Sequence, residues 1–440
     1  MDTHSLQAAI RFGLGARPDQ ALPRDPLSWL DAQLEGPDLA PPIPAGWPAP
    51  PTVRDGYRNW AEGDKRRDQR PPRQPHPVDY AFAAEVVALQ ALRIDTATPY
   101  RERLVEFWAN HFTVSRRAGY GVASTVGPFM RDAIRSHVTG TFADMLVAVA
   151  LHPAMLSYLS QTQSIGPNSP LGKQRKRGLN ENLAREILEL HTVSPAARYS
   201  QRDVTEFARL LTGWTVERMR EPYGAVFRAN AHEPGEKIVL GRRFGEGPAE
   251  VEKALRFLAA HPATQRFLAT KLVRHFVADD PPPEAVTRIE AVLTDTGGDL
   301  AAVARALPRL EQAWKPPLSK LRTPADYVTA ALRACGAAGT EFAQVARKGC
   351  DMLHQSCWLA EQPNGWPDHA SAWLGPEPTM QRLDWCYELA GRFARLEPMA
   401  VLDTALGPLG RTETRQALRG AGSPRDALAL LFASAEFQRR

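Results

Sequence analysis

Two short stretches carry polar residues where a plain core helix would carry apolar ones. Phe107-Trp108-Ala109-Asn110-His111-Phe112 is the first, and Asn180-Glu181-Asn182 through Glu189-Leu190-His191-Thr192 is the second. Buried polar groups need partners, so such residues belong either to satisfied networks or to active sites. A helix turns about 100° per residue, so Leu104, Phe107, Trp108 and His111 fall on one stripe and Asn110 lies at its edge. A histidine on a buried stripe must hydrogen-bond, bind a metal or shift its titration. In the second stretch Leu183, Ile187 and Leu190 form the buried stripe. Asn182, Glu186 and Glu189 make a second stripe within roughly 60° of arc, and His191 borders the apolar face about 140° from Glu186. Two carboxylates one turn apart can hold a hard cation or share a proton. The alternative is an ion-pair ladder, because Arg185 stands four residues from both Glu181 and Glu189.

These residues give two readings. In the first, His111, Glu186 and Glu189 are the catalytic set and the tentative metal ligands of a pocket between helices. Asn110, Asn182, Arg185, His191 and His232 would bind the ligand. Carboxylate and histidine sets inside helical bundles suit iron or manganese, and metal-assisted hydrolysis or oxidation would follow. In the second, the same residues fix helix packing as a buried network, and Trp358, Trp366 and Trp373 with a Pro-rich arm contact a partner.

The elements that must position these residues are helical almost throughout. Thr98-Pro99 and Ser200 are helix starts, and from residue 78 onward the apolar spacing follows the helical period. The strands expected are Val226-Phe227-Arg228 and Lys237 through Gly241, forming at most one small hairpin within 222–245. The fold class is therefore all-α. Residues 1–36 read as N-terminal helices and 37–77 as a Pro-rich arm or extended connector. Residues 78–440 read as the main domain.

The 440 residues carry 54 basic and 49 acidic groups, a net charge of +5 that is too small to argue for nucleic acid. Lys173, Arg175, Lys176 and Arg177 form a basic loop without interleaved aromatics, which is also weak for nucleic acid. The four cysteines have no zinc-binding spacing and read as reduced, buried thiols. No phosphate-binding loop, dinucleotide fingerprint, nucleophile elbow or H-E-x-x-H is present. The N-terminus has no secretory pattern and no apolar run is long enough to span a membrane, which predicts the cytoplasm.

The chain resembles a widespread bacterial family catalogued as domain of unknown function number eighteen hundred. The resemblance rests on Phe107 to Ser115, Asn180 to Thr192, Asp203 to Trp214, His232 to Lys237, His261 to Thr264, Gly365-Trp366-Pro367 and Arg11 to Gly15. Position 109 is Ala where the family pattern leads one to expect a second histidine, and position 233 is Glu where it leads one to expect Asp. If both histidines are ligands in the family, Ala109 weakens or removes a metal site here. The resemblance implies an all-helical fold and no established activity. It also implies a neighbouring, exported sulfatase-like protein as a partner, which keeps periplasmic export open.

Overall fold

Proline punctuates this chain. Pro26, Pro77, Pro99, Pro262, Pro324, Pro376 and Pro424 each open a helix, at the position where the missing N–H costs nothing. The computed structural model describes residues 2–36, 49–65, 74–175 and 178–440. Most of the Pro-rich run 37–51 lies outside them, as do Lys176 and Arg177 of the basic loop.

The helices used below are α1 (Thr3–Arg11), α2 (Pro26–Ala32), α3 (Val53–Lys65), α4 (Pro77–Asp95) and α5 (Pro99–His111). They continue with α6 (Asn182–Glu186), α7 (Gln201–Leu211), α8 (Pro262–Phe276), α9 (Pro324–Ala334), α10 (Gly339–Met352) and α11 (Pro376–Arg392). The protein is predominantly helical, as expected. The 37–77 segment is not one extended connector, because α3 occupies its middle and packs on α4.

Two small antiparallel sheets stand where one hairpin was expected. Strand β1 (Trp214–Glu217) pairs with β2 (Gly224–Phe227), and β3 (Lys237–Val239) pairs with β4 (Arg242–Phe244). The two expected strands do not pair with each other, since each finds a nearer partner. Leu240 and Gly241 both take positive φ, the geometry of a two-residue hairpin turn, so β3 folds back at once.

Apolar residues gather in two main cores. One runs from Ala8 to Ala313 and includes the buried faces of α5 and α8. The other joins Ile94 to residues between Ala325 and Phe437, including α9 and the buried face of α11. The Arg11-to-Gly15 motif staples them together. The Arg11 guanidinium donates to the Val277 carbonyl (2.7 Å) and to Ser319 Oγ (2.7 Å). The Gly13 carbonyl accepts from Arg103 on α5, and the Gly15 carbonyl accepts from Arg333 on α9. Gly15 has φ +97, which other residues rarely adopt. No helix among the described residues is long and apolar enough to cross a membrane.

Candidate functional site

Helix α5 starts as its sequence predicts, but the cap comes from elsewhere. Thr98 makes no side-chain cap, and Gln33 Oε1 instead accepts from the Tyr100 amide (2.8 Å). The helix then carries Phe107, Asn110 and His111 along the side of a cavity of about 610 Å³. Its walls come from both cores: α4, α5 and α8 on one side, α9 and the 355–369 loop on the other. Glu361, Gln362, Asn364 and His369 line it and are exposed, so the cavity reaches the surface at that loop.

Asn110 holds the loop in place. Its amide donates to the Trp366 carbonyl (2.9 Å) and its Oδ1 accepts from the Trp366 amide (2.7 Å). The Gly365-Trp366-Pro367 motif and the Asn110-His111 motif therefore meet in space. Trp358 and Trp366 line the cavity, and Trp373 is buried with its indole N–H on the Pro367 carbonyl.

His111 is buried, and both ring nitrogens are engaged. Nε2 faces the His191 carbonyl at 3.2 Å and must donate to it. Nδ1 then accepts from Lys271 Nζ on α8 at 3.0 Å. Burial, with help from the charge of Lys271, holds the imidazole well below its usual titration range, so it is neutral. Burial also pulls the Lys271 ammonium down to about 8. One α-helical turn on, His275 Nδ1 pairs with Asp368 Oδ2 at 2.8 Å, and its Nε2 is buried with no hydrogen-bond partner among the described residues. Burial brings His275 down to about 4. Asp368 is pushed up by burial, but His275, Lys320 and Arg440 outweigh this and hold its carboxyl far below the usual range.

The lowered lysine has a consequence for stability. Between about 8 and its ordinary value of 10.5, the unfolded chain holds a proton that the folded chain has released. Folding stability therefore rises with pH across that window, by at most about 1.4 kcal/mol per pH unit. Solvent reaches part of this side chain, so the gain is roughly 1–2 kcal/mol in all. Denaturant unfolding of the wild type and of Lys271→Met from pH 7 to pH 10 measures it. The difference between the two proteins should move in favour of the wild type above pH 8. A constant difference would show that the lysine is not desolvated.

The second motif contributes less to this cavity. After α6 the chain widens into a π-helix over Ile187–His191, which rotates the residues beyond Glu186 away from a regular 100° count. His191 is brought in, fully buried, with its ring centroid 6.1 Å from that of His111. Glu186 and Glu189 do not line the cavity. Both are half-buried, and burial together with Glu189 raises the Glu186 carboxyl. Asn182 is exposed, with its amide on Asn180 Oδ1 (3.0 Å), and Arg185 pairs with Glu181 (3.2 Å) and Gln201 (2.9 Å). Of the expected set His111, Glu186 and Glu189, only His111 lines this cavity. Among the described residues no three His, Cys, Asp or Glu side chains are placed to hold a metal.

The remaining motifs make hydrogen bonds within the fold. His232 Nδ1 donates to the Thr212 carbonyl (2.7 Å), and its Nε2 accepts from the Gly247 amide (3.1 Å). Glu233 accepts from the Asn168 amide (2.9 Å), which ties the two segments together. His261 caps α8, its Nδ1 accepting from the Ala263 amide (3.1 Å), and His76 caps α4 in the same way at Val78. Nothing in the sequence singles out Lys271, Arg274, His275 or Asp368. On α8 they read as ordinary charged positions, and only the fold brings them to the cavity.

No curated protein and no solved structure matches the chain. The profile of a family described as protein of unknown function, DUF1800, matches residues 7–439, nearly the whole length over which the motifs above are spread, and the chain belongs to that family.

Proposed function

We propose that this protein is an enzyme that transfers a proton to a small molecule held in the cavity, with Lys271 as the proton donor and His111 as the residue that orients it. The pair Lys271–His111, 3.0 Å apart on the wall of a cavity of about 610 Å³, carries this reading. A cavity of that size between packed elements is what a small-molecule site looks like. A lysine titrating near 8 is close to the pH at which an acid or base works best. His111 spends its own N–H on a main-chain carbonyl, so it offers Lys271 a fixed acceptor and leaves two ammonium protons directed elsewhere.

The neutral His275, fixed by Asp368 one turn along α8, is the natural acceptor for a compensating proton. The chemistry proposed here uses this chain's own acids and bases. It does not call on an iron or manganese ion at His111, Glu186 and Glu189, since neither carboxylate lines the cavity.

Incubation of a bacterial metabolite extract with wild type and with Lys271→Met, followed by mass spectrometry, tests the proposal. A compound consumed by the wild type and spared by the variant is expected. His111→Ala should slow the same conversion by about tenfold or more, as loss of a positioning hydrogen bond does. Identical extract profiles for wild type and Lys271→Met would overturn the assignment.

A further inference from the structure

Every carboxylate on the cavity wall already has a cation. Glu102 pairs with Arg135 (2.5 Å), Glu106 with Arg93 (2.8 Å), and Glu361 with Arg117 (3.3 Å). Asp326 is held by Arg103 (3.0 Å) and Arg440 (3.2 Å), and Asp368 by Lys320 (3.4 Å). The lining cations do not balance in the same way. Among the described residues, Lys271 and Arg274 have no carboxylate within ion-pair distance. Lys271 gives one N–H to His111, and Arg274 gives its Nε to the Asp279 carbonyl (3.3 Å). Two ammonium protons and the forked end of the guanidinium remain. The two residues are three positions apart on α8, so they stand on neighbouring turns of one helix face.

We infer that the cavity selects a small organic anion, a carboxylate or a phosphate ester, whose charged group sits between Lys271 and Arg274. Two half-buried cations with no carboxylate in ion-pair contact favour a ligand that supplies the opposite charge. Arg presents two parallel N–H groups that match a carboxylate or phosphate edge, and Lys adds a point charge beside it. The other lysines, arginines and carboxylates of the wall are neutralised by one another or by neighbours, so the anionic group is the feature that fixes the ligand's orientation. This assignment rests on the proposed use of Lys271, and it adds Arg274 as a residue that sets specificity.

The test uses the full chain and two amine reagents of similar size. Trinitrobenzenesulfonate is an anion, and the lysine nitrogen displaces its sulfite with loss of a proton. Fluorodinitrobenzene is neutral, and the same nitrogen displaces fluoride. Peptide mass spectrometry at pH 8 reads labelling at Lys271 against the exposed Lys315. Both reagents should label Lys271 faster than Lys315, and the anionic one should show the larger preference. Arg274→Gln should cut the anionic preference by about tenfold, the size expected for one charge-assisted hydrogen bond, and leave labelling by the neutral reagent unchanged.

Benzoate or phenyl phosphate should protect Lys271 and benzamide should not; whichever protects at the lower concentration tells a carboxylate site from a phosphate ester site. If neither reagent prefers Lys271 over Lys315, the proton-transfer reading fails and this inference with it. If the neutral reagent prefers Lys271 and the anionic one shows no further gain, or if benzamide protects as well as benzoate, only the anion assignment fails.

Discussion

Asp326→Ala should destabilise the protein by about 3–5 kcal/mol, the cost of breaking a buried ion pair from one side. Asp326 lies on α9 with 3% of its side chain exposed. It faces Arg103 from α5, 2% exposed, and Arg440, 0% exposed. Arg103 also donates to the Gly13 carbonyl, so the cluster ties α5 and α9 to the N-terminal turn. Removing the carboxylate leaves two guanidinium groups in the interior with little to answer them. Arg440 is the more exposed to this loss, because its nitrogens make no hydrogen bond of good geometry among the described residues. Denaturant midpoints read the effect. Burial alone would push the Asp326 carboxyl up, but Arg103 and Arg440 hold it far below the ordinary range.

The sign of the acid effect follows from that depression. The stabilisation is complete above the ordinary carboxylate value and fades as pH falls towards the lower folded value. Asp326→Ala should therefore lose most stability near neutral pH and least below pH 3. A double variant, Arg103→Met with Asp326→Leu, removes charge from both sides and should recover part of the loss. A loss under about 1 kcal/mol in Asp326→Ala would mean that water reaches the cluster and the two cores are not joined by it.

Much of the fold is legible because proline and small caps mark where helices begin. Thr98-Pro99 places α5 correctly, and Ser200 with Asp203 forms the reciprocal cap that its spacing predicts. Helix α3 is hidden by the prolines and charged residues around it, which read as an arm or connector, and it carries two glycines. In the fold they mark close approach: a Cβ on Gly56 would stand 1.9 Å from the Ser124 carbonyl oxygen.

Half of the candidate site is visible in the sequence. The apolar stripe through Leu104, Phe107 and Trp108 announces His111, because a histidine there has no solvent to turn to. Its partner Lys271 was not announced, since α8 carries Lys271, Arg274 and His275 in a pattern that also suits a solvated face. Angles counted on a regular α-helix hold up to Glu186 and fail across the π-turn at Ile187–His191, so Glu189 and His191 leave their expected faces, and His191 reaches the interior. Sequence spacing reports faces of one helix well. It does not report which two helices will share a cavity.

Gly365→Ala should remove the wall of the cavity while leaving both cores folded. Gly365 has φ +78, a conformation that costs an alanine roughly 1–2 kcal/mol. A Cβ there would also stand 2.5 Å from the Asn110 carbonyl oxygen, 2.6 Å from Asn110 Oδ1 and 2.7 Å from Thr113 Oγ1. The first of these is main chain of α5 and cannot turn aside, so the loop must move. Moving it breaks both hydrogen bonds between Asn110 and Trp366, each worth about 1 kcal/mol net.

The sum, roughly 3–4 kcal/mol, falls on the 355–369 loop, because neither main core includes Gly365. Asn110→Ala removes the same two hydrogen bonds without the clash and should cost about 2 kcal/mol. Hydrogen exchange separates local from global loss. The Trp366 amide should lose protection in both variants, and more in Gly365→Ala, while amides in the middle of α5 keep theirs. Labelling of Lys271 relative to Lys315 should fall with both reagents in Gly365→Ala, since the loop that lines the cavity with Lys271 no longer keeps water from it. Full protection at Trp366 in Gly365→Ala would show that the loop tolerates a side chain there, and that the close approach of glycine to Asn110 does not set the shape of the cavity.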